Sequence, residues 1–157
     1  MMPKPGYVYC VSDDYFKDVG DSRLMRNKGT GHRRPCYCCK KSEGTGLYWM
    51  IPLSSQWNKF RKAYNINVSR YGSCITLVLG EYAGKETAFV IQNAFPVTEK
   101  YIDKIFTKQQ EPIPVQCRLQ RVIYRNFEQC VSIHKSGYKI FYTDIDKAEQ
   151  IMLKKLR

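Results

Sequence analysis

Residues 48–62, Tyr-Trp-Met-Ile-Pro-Leu-Ser-Ser-Gln-Trp-Asn-Lys-Phe-Arg-Lys, change character within a few positions. Leu47 to Leu53 is an apolar, aromatic-rich run of strand length, the pattern of a buried strand. Ser54 and Ser55 end it. From about 56 to 65, Trp57, Phe60 and Tyr64 recur at helical spacing, with Lys59, Arg61 and Lys62 beside or opposite that stripe. A buried strand that opens at once into a basic helix places unpaired backbone N–H groups at a positive helix end, which favours anions. Ser54 and Ser55 are positioned to join those amides around a phosphate, with Lys59 reaching back from the next turn. Serine is also a preferred helix cap, so the pair has an ordinary structural reading too.

Upstream, Gly6 to Val11 is β-branched and aromatic and reads as a first strand, after which Ser12 starts a short helix through Val19. Residues 20–31 form a polar, glycine-dotted loop carrying Arg23, Arg26 and Lys28. Arg34 to Lys40 is a strand that makes a hairpin with the Leu47–Leu53 strand, Pro35 being tolerable only at its start or on an edge. Downstream, residues 74–81 and 87–92 are strands around a turn containing Gly84, and 93–97 continues extended. Thr98 caps an expected helix with Tyr101, Ile102, Ile105 and Phe106 on its core face. Pro112 and Pro114 precede the longest helix, about 115–132, with Leu119, Val122, Ile123, Cys130 and Val131 buried. Arg118, Arg121 and Arg125 form a basic stripe on another side of it. Residues 137–142 read as one more strand or extended segment, and Thr143 with Asp146 as a capping box for a last helix ending near Leu156. The order predicts one α+β domain over residues 1–157: a compact, antiparallel, barrel-like sheet of about six strands, decorated by four to five helices.

Charge is strongly segregated. The chain carries 26 Lys and Arg against 14 Asp and Glu, a net +12, and residues 23–70 hold eleven of those cations with Glu43 as their only acid. A focused positive field recruits polyanions, which points to nucleic acid. Candidate contacts are Arg23, Arg26, Lys28, Arg33, Lys40, Arg61, Lys62 and the Arg118, Arg121, Arg125 stripe. Tyrosines beside basic residues, Tyr37 among them, are candidates to stack on unpaired bases, as RNA readers do. His32-Arg33-Arg34 at the entry to a strand adds a titratable imidazole to two guanidinium forks suited to phosphate.

Seven cysteines, with no apolar signal stretch at the N-terminus, lead us to expect reduced thiols in a cytoplasmic protein. Cys36 and Cys39 make a lone C-x-x-C, and strand alternation would point them to opposite faces, so no metal site is expected. No apolar run reaches membrane-spanning length. There is no P-loop, dinucleotide fingerprint, zinc-protease motif or helix-turn-helix pattern, and the scarcity of carboxylates in the basic region argues against a magnesium nuclease. No cofactor is expected.

The strand ending Tyr9-Cys10-Val11-Ser12, the following Tyr15-Phe16, the basic loop, the Arg-Arg-Pro strand, and Ile51-Pro52-Leu53-Ser54-Ser55 opening a helix come in an order that resembles the toxins of type III toxin–antitoxin systems. The likeness is to the ToxN/AbiQ group and most to its CptN branch. That resemblance implies a fold similar to MazF/Kid toxins and a bacterial, phage-defence endoribonuclease that cleaves single-stranded RNA without metal. It also implies 2′,3′-cyclic phosphate and 5′-hydroxyl ends, cellular mRNA as substrate, and a small repeat RNA antitoxin that the toxin itself processes. The processed units would fold as pseudoknots and link with toxin into a closed hetero-oligomer. By the family pattern Ser54 and Ser55 are the hydroxyl pair, with Ser55 catalytic, and Arg33 or Arg34 is the basic residue before the strand. Relatives carry a lysine where this chain has Trp57, so Lys59 is the nearest substitute. His32 is a further acid–base candidate.

The residues alone also accommodate a non-catalytic RNA-binding module on the same basic face, or a related fold that acts on a protein target. Either RNA-binding reading makes affinity steeply salt-dependent. If six or more phosphates are engaged, binding to single-stranded RNA should fall by about 300-fold or more between about 50 and 200 mM salt, measurable by fluorescence anisotropy.

Overall fold

In a computed structural model, which describes residues 1–27 and 33–156, the hairpin implied by the opening stretch is the centre of the molecule. Strand β2 (Pro35–Lys41) pairs antiparallel with β3 (Tyr48–Ser54), and every residue of β3 is buried. On its outer edge β2 leads to β1 (Val8–Val11), which pairs in turn with β7 (Ile102–Ile105). The other edge of β3 has two partners. Tyr48–Met50 pair with β6 (Phe95–Val97), whereas Leu53 and Ser54 pair with β5 (Lys85–Val90), which makes a hairpin with β4 (Leu77–Tyr82). Pro52, which has no N–H to offer, lies in the interval between the two partners.

Alternation along these strands builds a core on each face. Trp49, Ile51 and Leu53 face helix α3 (Cys117–Lys135) with its Ile123, Phe127 and Cys130. Tyr48 and Met50 face α1 (Asp13–Val19) and α4 (Ile145–Lys155), through Tyr15, Phe16, Ala148 and Met152. Helix α2 (Trp57–Tyr71) covers the β4–β5 hairpin, with Phe60 against Leu77, Ala88 and Val90. Each fully buried Leu, Ile or Phe side chain contributes about 1.5–3 kcal/mol. Cys36 and Cys39 point into different cores, and burial pushes the Cys36 thiol up to about 12.

Among the described residues the architecture is the expected α+β one, an antiparallel sheet of seven strands against the expected six or so, with four helices, although the sheet is not closed into a barrel. It nevertheless brings its ends together: Tyr82 at the end of β4 packs on Phe106, just beyond β7, with ring centroids 5.6 Å apart, and its Oη donates to the Ile113 carbonyl at 2.8 Å. A separate small ribbon joins β8 (Thr107–Lys108) to β9 (Glu111–Pro112). The helix expected after Thr98 is a 3₁₀ turn, Glu99–Tyr101, followed by strand β7. Ile102 and Ile105 are three apart, a helical spacing, but a bulge opposite Cys10 and Val11 absorbs the extra residue, and both isoleucines pack into the core beside Tyr9 and Val11. Residues 137–142 form no strand, although the Tyr142 N–H donates to the Gln92 carbonyl. Helix α2 runs on past residue 65 to Tyr71.

The last helix is capped differently from the expected box. Asp144, rather than Thr143, accepts the Lys147 N–H at 3.1 Å, and the Thr143 hydroxyl is buried with no partner among the described residues. Asp144→Ala should therefore lower stability by about 1 kcal/mol in urea unfolding. Thr143→Val should leave it unchanged or raise it by up to about 1 kcal/mol, because no hydrogen bond is lost.

Candidate RNA-binding cavity

The end of β3 opens into a cavity of about 580 Å³, within the range of small-ligand pockets. Four segments line it: Arg33 and Arg34 leading into β2, Ser54 and Ser55, the Lys85-Glu86-Thr87 start of β5, and Phe106 to Lys108 beyond β7. The register explains why they meet. Ser54↔Ala88 is the last β3–β5 pair, so residues 85–87 overhang the point where β3 ends and the chain turns toward α2.

Arg34 is the best-defined group in the site. Its backbone N–H donates to the Asn27 side chain at 2.9 Å, its Nη1 to the Leu53 carbonyl at 3.0 Å, and its Nε to the Arg26 carbonyl at 3.4 Å. Asn27 is itself fastened to the Val11 carbonyl and to Asp13. The guanidinium is thus half-buried against backbone carbonyls, with no carboxylate partner among the described residues. Burial draws its pKa below the usual arginine value, yet a guanidinium stays charged in proteins. Arg33 lines the same cavity but pairs with Asp103, the bulged residue of β7.

Ser54 is 4% exposed, and its Oγ accepts the Gln56 N–H at 3.2 Å in a tight turn. Ser55 is exposed, and its carbonyl accepts the Trp57 N–H. Neither serine is the helix cap. That position belongs to Gln56, which supplies no capping side chain, and the first turn of α2 holds no acid to offset its positive end.

Other expected contacts are dispersed. Lys59 lies outside the cavity, exposed, with its Nζ 5.3 Å from the centre of the Phe60 ring. Tyr37 is a correction: it is 2% exposed and packs edge-on to Phe89 in the core, so it presents no face to a base. Lys40 is held by Glu128 of α3 at 2.7 Å and sits near the Tyr124 ring. Arg23 pairs with Asp21, and Arg26 is exposed. Arg61 and Lys62 line a shallow depression on the outer face of α2. Arg118 and Arg125 line a groove of about 960 Å³ between α3, β4 and the end of α2, while Arg121 is exposed outside it. Lys28 and His32 lie outside the described residues.

Lys85, Glu86, Thr87 and Lys108 escaped the sequence reading. Charged residues flanking the Ala83-Gly84 turn were a visible signal, but the neighbour relation of β5 to the end of β3 was not. Lys108 is further fixed toward this end of the sheet by its contact with the Ala83 carbonyl at 3.4 Å. The placement predicts that Lys108→Ala weakens binding of a short single-stranded RNA at the cavity by about 5- to 10-fold, as loss of one charge-assisted contact should. Lys59→Ala should change it less than twofold; titrations at fixed low salt distinguish the two.

No family model matches the chain, and no curated protein matches it. Among solved structures it is similar to AbiQ, described as a lactococcal anti-phage endoribonuclease belonging to the type III toxin–antitoxin system. The TM-score is 0.65 over 96% of this chain and 98% of that one, at 15% sequence identity, so what the two chains share is the fold that the sequence resemblance implied.

Proposed function

We propose that this chain is an endoribonuclease toxin of a type III toxin–antitoxin system, cutting single-stranded RNA at the cavity where β3 ends. The observation that carries the reading is Arg34, a half-buried cation with no acid partner among the described residues, held beside Ser54 and Ser55. Desolvating a cation is unfavourable unless an anion compensates, and a phosphodiester in the cavity does so. The fold likeness to AbiQ and the net charge of +12 support the same reading.

The chemistry we assign is transesterification. The ribose 2′-oxygen attacks the adjacent phosphorus, the bond to the 5′-oxygen breaks, and a 2′,3′-cyclic phosphate and a 5′-hydroxyl remain. Negative charge grows on the non-bridging oxygens, where Arg34 with Arg33, Lys85 and Lys108 stabilises it. Ser55, exposed at the mouth, positions the phosphate or relays a proton and forms no covalent intermediate. A donor set of four cations and one carboxylate does not gather a divalent metal, so the proposed reaction is metal-independent.

The partner in this reading is a folded repeat RNA antitoxin, a pseudoknot cut by the toxin from its own precursor and held in a closed toxin–RNA assembly. The Arg118–Arg125 groove suits it, being lined by other residues than the cavity and offering two guanidinium groups to a phosphate backbone. Cellular mRNA is the second substrate. Incubated with single-stranded RNA in EDTA, the protein should yield fragments with cyclic phosphate ends, and Ser55→Ala should slow cleavage by about 10²-fold or more. RNA binding without any cleavage would overturn the enzymatic reading in favour of a binding module.

A further inference from the structure

Cleavage of this kind needs a group to take the 2′-hydroxyl proton, and the proposed function leaves that group unnamed. The cavity lining restricts the choice. Arg33, Arg34, Lys85 and Lys108 offer donors and no acceptor when charged. The Thr87 hydroxyl donates to the Lys85 carbonyl at 3.0 Å, and the Ser54 hydroxyl accepts from Gln56. Tyr82 donates to Ile113, and burial pushes its phenol up to about 12. Glu86 is the single carboxylate among the lining residues.

Paired residues share a face, so Ser54 and Ala88 point the same way, and Glu86, two positions before Ala88, joins them. Glu86 therefore stands about 7 Å further along the same face of the sheet, in the overhang beyond the end of β3. Across the β4–β5 hairpin it lies directly opposite Glu81, the only pair of like charges in the described register. Opposed like charges weaken a hairpin, and the described residues supply no ion pair to either glutamate. A local conflict of this sort, in a chain so poor in acids, belongs at a working site.

We propose that Glu86 is the general base of RNA cleavage. This rests on the reading of the cavity as an RNA-cleaving site. The Glu86 carboxylate takes the proton from the 2′-oxygen as that oxygen bonds to phosphorus. The electron pair of the breaking bond leaves with the 5′-oxygen, which takes a proton from the cavity's ammonium groups or from water. The charged groups around Glu86 are Glu81 on β4, Lys85 on its own strand, Lys108 on β8, and Arg33 and Arg34 before β2.

Steady-state cleavage by the full chain, Glu86→Gln and Glu86→Asp tests this. Glu86→Gln should lower kcat by about 10²- to 10⁴-fold, a typical loss for a general base, and Glu86→Asp should recover part of it. Affinity for an oligonucleotide with 2′-deoxyribose at the cleavage point should be no weaker. Thermal stability should be equal or higher, because the clash with Glu81 is relieved. In wild type, log kcat should fall on the acidic side of its pH profile, and Glu86→Gln should abolish that limb. An RNA with sulfur in place of the bridging 5′-oxygen needs no acid, so a base defect persists on it. Wild-type kcat in Glu86→Gln overturns the assignment, as does recovery on the sulfur substrate, which would make Glu86 the acid. Loss of the acidic limb in His32→Asn but not in Glu86→Gln would give the role to His32. A wild-type protein that binds RNA without cutting it would refute the cleavage reading itself.

Discussion

Strand β3 is buried at all seven positions, and each of its edges is occupied, but no single strand covers its far edge from end to end. The β6 segment serves its first half and β5 its last two residues, with Pro52 in the interval. A buried strand must have its backbone polar groups paired, so the two partners are obligatory. Their divergence shapes the site. Because β5 joins only at the end of β3, its first three residues run on past that end, and on the β2 side the register carried back from Cys36–Pro52 brings Arg34 level with Ser54 and Arg33 just past it. The cavity is the space these overhangs enclose where β3 gives way to α2, and the 106–108 segment closes its far wall.

The electrostatics follow from that geometry. Arg34 would reach water freely if the chain before β2 were loose. Instead Asn27 clamps its backbone, and the Leu53 and Arg26 carbonyls hold its guanidinium, while the Arg33–Asp103 pair fastens the same stretch to the β7 bulge. Carbonyl oxygens orient a cation without neutralising it, so the field at the cavity remains positive. A cation fixed in advance needs little reorganisation when negative charge develops beside it, which is where electrostatic catalysis has its largest effect. The same stretch holds back some of its charge: Lys40 is matched by Glu128 and Arg23 by Asp21. Net charge by segment therefore locates a basic region correctly and overstates how many of its members are available.

Legibility varied with how local each determinant is. The β2–β3 hairpin, α1, α3 and the change from strand to helix at Ser54–Ser55 were readable, since each depends on a period of two or of 3.6 within one segment. The Thr98–Phe106 segment misled because its spacing fits a helix as well as a bulged strand, and only the free edge of β1 decides between them. Tyr37 misled for a related reason. Basic neighbours in sequence suggested exposure, but alternation on a central strand turns Tyr37 inward against Phe89. Lys59 likewise follows the serines by a few residues and still lies outside the cavity, since α2 carries it onto an exposed face.

By itself, then, the sequence determined an α+β domain, a buried strand ending in two hydroxyls, and a positive charge concentrated around that strand. These are consequences of side-chain pattern and composition, which act over a few residues or over the whole chain. Tertiary structure alone decided which residues face those hydroxyls. Lys85, Glu86, Thr87 and Lys108 arrive through pairing between segments distant in the chain, and such pairing depends on which edges remain unsatisfied after the local hairpins have formed.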